Sequence, residues 1–278
     1  MNIRLLTADD RQQAKDLWRR TFEDPPAFVD WFFENRYTPQ WSAGVFEGGR
    51  LISAVHGTPM ELSLGKGSFS ALMTSGVATV PSKRGKGHMY AAMRYLQTLA
   101  EERGVHALFN HPQRQGAYAH LGFRPFTFTK YWQGEGGTQP GEVQPFSEEK
   151  AYQVYSVMAD RYTGFVRRDR EAFRLKMADY ASDGAQGFLL EEAGEAVGYC
   201  VYFEKDHIYG EEVLSLGSYG PMLHELKRIA AGRNVCAKLP PDSDAEGEIQ
   251  PQNVMLAPDA IWQAMEQTGR PCFCVDEY

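Results

Sequence analysis

A basic segment with two glycines, RGKGHM at residues 84–89, has the composition of a phosphate-binding loop. It follows an apolar stretch at residues 77–80 that predicts a strand, and it precedes apolar residues at three- and four-residue spacing that predict an amphipathic helix. Glycines in such a loop let backbone N–H groups turn inward, and the positive end of the helix dipole also favours an anion. The segment is therefore a candidate phosphate site, and a solvated basic turn is the alternative.

The glycine spacing excludes two common nucleotide-binding motifs. A Walker loop requires G-x-x-x-x-G-K-S/T, which the sequence lacks, and a dinucleotide fingerprint requires G-x-G-x-x-G, whose third glycine is replaced by Tyr90. The segment instead resembles the pyrophosphate loop Q/R-x-x-G-x-G/A of the GNAT acyltransferase family, as Arg84-x-x-Gly87-x-Met89. Met89 departs from the usual glycine or alanine, and a larger residue at this place is found in the subgroup similar to the enhanced-intracellular-survival (Eis) acetyltransferases.

A second motif follows the predicted helix. Residues 107–109 predict a short apolar strand that ends at Asn110, and the sequence GAYAHLGF follows at residues 116–123. GNAT proteins have at this place a strand, a short helix that carries a tyrosine, and then a leucine or phenylalanine before Gly-Phe or Gly-Tyr. Tyr118 matches that tyrosine, and a core tyrosine at a helix end is the alternative. Two motifs in the order and spacing of the family strengthen the resemblance.

The resemblance implies direct acyl transfer from acetyl-CoA to an amine, without a metal. The neutral amine attacks the thioester carbonyl, and backbone N–H groups of a bulged strand near residues 77–79 stabilise the oxyanion. Tyr118 is the implied acid for the leaving thiolate. The terminal carboxylate of Tyr278 is the implied base, with His88, His120 and a water relay as alternatives. The residues implied to bind the donor are Val77, Ala78, Thr79, Arg84, Gly85, Lys86, Gly87, His88, Met89 and Asn110.

The first half of the chain predicts the GNAT order of elements, and the resemblance covers about residues 1–132. Gly48 and Gly49 indicate a hairpin, and Gly76 indicates a bulge or a close backbone approach. The aromatic residues at 26–36 are predicted to line the acceptor pocket, with hydrophobic core as the alternative. The elements predicted before the glycine loop are a strand at 3–6, helices at 7–22 and 26–36, and strands at 41–46, 51–62 and 68–80.

The second half repeats this order without the glycine loop. Residues 134–142 have no apolar side chain and four glycines, which predicts a linker. GSYGP at residues 217–221 stands where a phosphate loop is expected. The predicted elements are helices at 148–161, 169–180 and 219–231 and strands at 187–191, 196–203, 213–216 and 235–239. The predicted domains are a catalytic GNAT domain at 1–133, a linker at 134–145, and a degenerate GNAT-like domain at 146–278 with a terminal strand and tail.

The second lobe is similar to the catalytically silent lobe of the Eis group. The similarity rests on YTGFVRR at residues 162–168 and on VGY at residues 197–199. Eis proteins carry a further sterol-carrier-like domain, for which 278 residues leave no room. The predicted fold class is α/β of the α+β kind, with a mixed, mostly antiparallel sheet flanked by helices and followed by the degenerate lobe.

Composition bounds the remaining questions. A hydrophobic fraction of 43% in 278 residues is sufficient for two packed lobes. The net charge of −7 argues against binding to nucleic acid or an anionic membrane, and it is compatible with cationic amine substrates. The sequence shows no long apolar run or signal peptide, so we expect a cytoplasmic protein. The four cysteines lack paired C-x-x-C spacing, so we expect free buried thiols.

Three functions from different classes remain open on the sequence alone. The favoured one is an acetyl-CoA-dependent N-acetyltransferase that acts on a primary amine of a small molecule or peptide. The second is a regulator that binds acyl-CoA without turnover, and the third is a structural or partner-binding protein of paired lobes. A homo-oligomer is compatible with all three, and the acceptor, the acyl chain length and the base are left open.

Overall fold

The computed structural model describes residues 2–114, 116–137 and 144–276, which form two seven-stranded mixed sheets with helices packed on them. The strands are β1 (Asn2–Leu5), β2 (Ser42–Glu47), β3 (Arg50–Leu64), β4 (Gly67–Thr79), β5 (Ala107–Asn110), β6 (Arg124–Pro125), β7 (Phe128–Glu135), β8 (Gln144–Pro145), β9 (Gln186–Glu192), β10 (Glu195–Glu204), β11 (Ile208–Ser215), β12 (Asn234–Leu239), β13 (Glu248–Pro251) and β14 (Val254–Leu256). The helices are α1 (Arg11–Thr21), α2 (Pro26–Asn35), α3 (His88–Glu102), α4 (Glu148–Ala159), α5 (Arg170–Ser182), α6 (Gly220–Ala230) and α7 (Asp259–Gln267).

The first sheet has the order β1-β2-β3-β4-β5-β14-β6, in which β4 and β5 run parallel and the other neighbours run antiparallel. Successive side chains of a strand face opposite sides of a sheet. Ala54 therefore packs with α1 and α2 on one face, whereas Val55 packs with α3 on the other. The long helix α3 buries the stripe formed by Ala92, Met93 and Leu96, as its three- and four-residue spacing predicts.

The second sheet has the order β13-β7-β12-β11-β10-β9-β8, and β11 and β12 are its parallel pair. Helices α4 and α5 contribute to one hydrophobic core of this lobe, and α6 contributes to the other. The second lobe thus repeats the plan of the first, with a parallel pair of strands joined by a helix.

The two sheets exchange strands. β7 lies in the first half of the chain but pairs with β12 and β13 in the second sheet, and β14 lies near the end of the chain but sits between β5 and β6 in the first sheet. A buried ion pair between Arg36 and Asp179, at 3.4 Å, also joins α2 to α5. The domain division at residues 133 and 146 stays a prediction, and the strand pairing does not follow it.

The predicted fold class is confirmed, and most predicted elements lie within a few residues of the observed ones. The predicted terminal strand is wrong, because between residues 271 and 276 only Cys272 forms a bridge, to Thr163. Phe273 and its two successors are instead buried among side chains of both lobes. Helix α7 and the strands β13 and β14 were not predicted from the sequence.

The four cysteines are free thiols, and Cys200 and Cys274 are fully buried, whereas Cys236 and Cys272 are partly buried. Within the described ranges, no helix combines the length and the apolar character that a bilayer crossing requires.

Candidate active site

The parallel strands β4 and β5 separate after three residue pairs. Ala71, Leu72 and Met73 pair with residues 107–109, and beyond Met73 and Phe109 the two strands are no longer paired. We call this separation the first fork. At its base Asn110 donates from Nδ2 to Thr74 Oγ1 at 3.1 Å, and Thr74 Oγ1 lies 3.4 Å from the Phe109 carbonyl oxygen.

A cavity of about 410 Å³ opens at the first fork. One wall is formed by residues 74–77 of β4, and the opposite wall is formed by Asn110, His111, Gln113, Arg114, Ala117 and Tyr118. Trp18, Phe22 and Asp24, from the end of α1 and the α1–α2 connection, complete the lining. The cavity thus combines apolar rings with a small number of polar groups, as ligand sites usually do.

A bulge in β4 shapes this cavity. Ala54 lies opposite Ala78 and His56 lies opposite Ser75, so one residue of β3 faces two of β4. Gly76 within the bulge has φ +56°, and a Cβ atom there would lie 2.1 Å from the Trp18 ring. Only glycine suits both the backbone and the space. The predicted role of Gly76 as a bulge and a close approach is therefore confirmed.

An uncharged histidine, His56, lies beside the bulge, and it was not predicted from the sequence as a site residue. His56 is buried in an aromatic cage formed by Trp18, Phe32, Phe33 and Tyr37, and burial lowers its pKa to about 3. Its Nδ1 atom lies 3.1 Å from Ser42 Oγ. The sequence signal was a lone histidine within an apolar strand, which does not distinguish a core position from a ligand.

The backbone of β4 beyond the bulge faces the fork at alternate residues. The Val80 N–H donates to the Ile52 carbonyl, which makes this a hydrogen-bonded pair of the ladder. Hydrogen-bonded and non-hydrogen-bonded pairs alternate, so Ala78 also bonds to β3, whereas the N–H of Thr79 points away from β3. The Thr79 carbonyl on that same side accepts a hydrogen bond from Arg84 Nε at 3.2 Å.

The loop at residues 84–89 connects this strand to α3. Gly85 and Gly87 have φ values of +73° and +77°, and a Cβ atom on either would have no neighbour within 4 Å. Gly87 is the N-cap of α3, so His88 begins the helix. The His88 Nδ1 atom is buried and has no hydrogen-bond partner in the described part of the chain.

Other residues of the loop differ in exposure. Arg84 and Lys86 are exposed, and the side chain of Met89 packs against the core beneath α3. A short 3-10 helix at Pro81–Lys83 precedes the loop, and Lys83 forms an ion pair with Glu47. The loop therefore presents cationic side chains and glycine backbone at the N-terminus of a 15-residue helix, which favours an anion.

Tyr118 lies on the far wall of the cavity. It caps a 3-10 helix (Ala119–Leu121) in place of the short helix that the sequence predicts, and its ring packs against Phe123. Burial raises the pKa of its hydroxyl to about 12. Tyr118 is therefore protonated at any pH used for an enzyme assay and is available as a hydrogen-bond donor.

The cavity wall on the side of α1 and α2 differs from the expected one. The three phenylalanines of α2, Phe28, Phe32 and Phe33, are buried in the core and are not part of this lining, and Trp31 is partly buried. Trp18 and Asp24 line the cavity instead, and the Trp18 indole N–H donates to Asp24 Oδ2 at 2.6 Å. The sequence reading missed Asp24, since an acid before two prolines carries no specific signal.

The candidate bases fall in different places. His120 is exposed and stacks on Tyr90, outside the cavity lining. His88 lies at the start of α3, and Tyr278 lies outside the described residues. His111, which the sequence reading did not single out, lines the cavity.

The comparisons with known proteins agree with this fold. The family described as "Acetyltransferase (GNAT) domain" matches residues 2–126. The first lobe of the chain is therefore similar to GNAT acetyltransferase domains. No curated protein matches the sequence at a significant level.

Solved structures show the same fold over nearly the whole chain. Eis1 from Mycobacterium abscessus is 16% identical with a TM-score of 0.68, and the match covers 92% of this chain and 74% of that one. A protein of unknown function from Enterococcus faecalis, titled a probable N-acyltransferase, is 16% identical with a TM-score of 0.71 and coverages of 95% and 73%. A GCN5-related N-acetyltransferase from Kribbella flavida is 18% identical with a TM-score of 0.68 and coverages of 93% and 72%. The two-lobe fold is thus shared with these proteins.

Proposed function

We propose that the chain is an N-acetyltransferase that uses acetyl-CoA to acetylate a primary amine of a small molecule or peptide. The observation that carries the proposal is the first fork. Its cavity has the bulge of β4 on one side and Tyr118 on the other, and the same strand runs on into the glycine loop at α3. A donor with an anionic end and a flexible arm fits this succession of loop and cavity.

The residues along β4 and the loop suit such a donor. Arg84, Lys86 and the backbone of Gly85, Gly87 and His88 would hold its pyrophosphate at the helix N-terminus. Met89 would contribute its backbone N–H, since its side chain is packed in the core. Val77 and Thr79 would direct their backbone toward the arm and its thioester, and Asn110 would close the far side. Ala78 holds this strand against β3.

The donor supplies the acetyl thioester, and the chain positions and polarises it. The nitrogen of the neutral amine forms a bond to the acetyl carbon while the C–S bond breaks. A backbone N–H of β4 donates to the oxygen on which negative charge develops. Because the pKa of Tyr118, about 12, exceeds the value of about 8.5 for an ordinary thiol, its hydroxyl acts chiefly as a hydrogen-bond donor to the departing sulfur.

The surplus proton of the attacking amine needs an acceptor. Asp24 is a carboxylate of the cavity wall, and it can take this proton through a water relay. The terminal carboxylate of Tyr278 is the other candidate. A carboxylate beside the cavity also attracts a cationic amine to the site.

The test is a screen for acetylated amines by intact mass. Purified full-length protein is incubated with acetyl-CoA and with aminoglycosides, polyamines or peptides that have free N-termini. We expect at least one amine to gain an acetyl group at a rate that depends on the protein. The Tyr118→Phe variant is the matched control, because it keeps the ring and removes only the hydroxyl.

The outcome also separates the alternatives. Binding of CoA without acetylation of any amine would indicate a regulator that binds acyl-CoA. Absence of both binding and turnover would contradict the enzymatic proposal and favour a structural role.

A further inference from the structure

Ser75 belongs to the lining of the cavity at the first fork, and its hydroxyl is buried. It stands directly before the bulge glycine and lies opposite His56 in the β3–β4 register. Its Oγ atom is buried and has no hydrogen-bond partner among residues 2–114, 116–137 and 144–276. A buried hydroxyl without a partner costs free energy. Because Ser75 lines the cavity, a bound ligand can supply the missing partner.

Asn110, another residue of the cavity lining, has a second such atom. The residue is 2% exposed, and its Oδ1 atom is buried without a hydrogen-bond partner in the described chain. The orientation of its amide follows from its neighbour, because Thr74 Oγ1 directs its proton to the Phe109 carbonyl and must therefore accept from Asn110 Nδ2. The carbonyl end of Asn110 is thus left as an acceptor.

Together the two atoms define the chemistry of the missing partner. An amide oxygen only accepts hydrogen bonds, and a serine hydroxyl can accept as well. A group with more than one N–H can satisfy both atoms at once, and a primary amine or its ammonium form has two or three. Asp24 in the lining of the same cavity favours the approach of a cationic group.

We propose that Ser75 Oγ and Asn110 Oδ1 hold the N–H groups of the acceptor's reacting primary amine. This assignment rests on the proposed acetyl transfer and names the group that positions the nucleophile. Ser75 is on this account a residue that selects primary amines over N-methylated ones. The amide N–H groups of the donor's pantetheine arm have the same hydrogen-bonding chemistry and are the rival source.

The stability of the free protein gives a first readout that needs no turnover. Ser75→Ala removes a hydroxyl that has no partner, so we expect Tm to stay unchanged or to rise by up to about 3 °C. Ser63→Ala is the matched control on the same sheet. Ser63 is fully buried, and its Oγ donates to the Tyr162 carbonyl and accepts from the Phe165 N–H. Its loss should lower Tm.

Kinetics with spermidine as the amine give the second readout. A hydrogen bond to a charged group is worth roughly tenfold in affinity, so Ser75→Ala should raise the KM for spermidine about five- to tenfold. The Kd for CoA, measured by calorimetry, should change by less than about twofold. The preference for spermidine over a fully N-methylated spermidine should shrink in the same variant.

Three results would overturn the assignment. Weaker binding of CoA with an unchanged KM for spermidine would show that the two acceptor atoms bind the pantetheine arm instead of the amine. A Tm loss in Ser75→Ala equal to that in Ser63→Ala would make the hydroxyl a structural group. An unchanged KM for spermidine together with an unchanged Kd for CoA would leave Ser75 without a ligand.

The design also separates failure of this inference from failure of the proposed function. If the wild type acetylates no amine, the enzymatic proposal fails, and the Tm shift that spermidine causes in the presence of CoA becomes the readout. A shift in the wild type that is lost in Ser75→Ala would still support the amine site. Equal shifts in both proteins would contradict it.

Discussion

The two lobes contain the same kind of fork with different contents. In the first lobe the parallel strands separate after Met73 and Phe109, and in the second lobe β11 and β12 separate after Gly210 and Ala237. We call the latter separation the second fork. Each fork follows three parallel residue pairs, and in each lobe a helix connects the two strands.

The first residues beyond each fork face one another. In the first lobe these are Thr74 and Asn110, which form a neutral hydrogen bond and leave the Asn110 amide oxygen without a partner in the described chain. In the second lobe they are Glu211 and Lys238, which form a buried ion pair at 3.0 Å. The second fork is thus bridged by a charged pair, whereas the corresponding pair in the first fork is neutral.

The N-termini of the connecting helices differ in the same way. At α3 the loop offers glycine backbone and exposed cationic side chains. At α6 the carboxylate of Asp244 accepts from the Tyr219 N–H at 2.9 Å and from the Ser218 hydroxyl at 2.6 Å. The Tyr219 hydroxyl in turn accepts from the Ser215 N–H at 3.4 Å. The second lobe therefore places one of its own anions where a helix N-terminus favours a phosphate.

The comparison shows that the topology of the fork does not by itself make a ligand site. Both lobes have the parallel pair and the connecting helix. The two lobes differ in whether side chains of the protein bind the polar groups that remain unpaired at the fork and at the helix N-terminus.

The largest expected effect concerns Tyr118. We expect Tyr118→Phe to lower kcat by about 10²- to 10³-fold, because it deletes a donor to the departing sulfur. The Kd for CoA should change by less than about threefold, since an interaction made in the transition state does not appear in ground-state affinity. Steady-state kinetics and calorimetry on the same variant give both values.

Tyr219→Phe is the matched control in the second lobe. It should leave kcat unchanged and lower only the stability, because its hydroxyl serves a backbone N–H of β11. If kcat survives in Tyr118→Phe, that tyrosine is a packing residue.

The histidine beneath the first fork predicts a pH dependence of stability. The pKa of His56 is about 3 in the folded protein and about 6.5 in the unfolded chain, so between these values the unfolded state binds the additional proton. The free energy of unfolding should therefore fall by about 2 kcal/mol from pH 7 to pH 5. His56→Gln should flatten this slope, whereas His120→Gln, at an exposed histidine, should not. Urea denaturation at several pH values measures the free energy of unfolding. An equal pH dependence in the wild type, His56→Gln and His120→Gln would refute this account of His56.

Arg84 tests the loop of the first lobe. A charged hydrogen bond to phosphate contributes about 1.5–3 kcal/mol, so Arg84→Ala should raise the Kd for CoA by about tenfold or more. Arg103→Ala, at the other end of α3, is the control and should leave the Kd unchanged. An unaltered Kd in Arg84→Ala would make the segment an ordinary basic turn.

Asp244 gives the smallest expected effect and tests the second lobe. Asp244→Ala removes the carboxylate from the start of α6 and should cost about 1 kcal/mol of stability, as the loss of an N-terminal cap does. The kcat and the Kd for CoA should stay at their wild-type values. A loss of CoA affinity would show that the second lobe takes part in donor binding.

The sequence was most informative at positions where the local backbone conformation requires one particular residue type. Gly76 marks the bulge because only glycine fits φ +56° beside Trp18, and the glycine loop marks the start of α3 for a similar reason. The periodicity of the long helix likewise gave its buried face.

The sequence was least informative about contacts between distant segments. β14 enters the first sheet from residues 254–256, and no local pattern indicates that its partners are β5 and β6. A fragment ending near Trp132 would lack this strand and is therefore a poor test of the first lobe. Asp24, Ser75 and His56 were missed for the same reason, since their neighbours in the fold are remote or ambiguous in the sequence.

The most direct test of the difference between the forks is a calorimetric titration of the full-length protein with CoA. We expect one CoA per chain, bound in the first lobe. Gly87→Val should weaken this binding strongly, because a branched side chain enters the space of the phosphates, while Gly104→Val, with the same φ of +77° at the end of α3, should not. Two equivalent sites per chain, or one site that withstands Gly87→Val, would contradict the account.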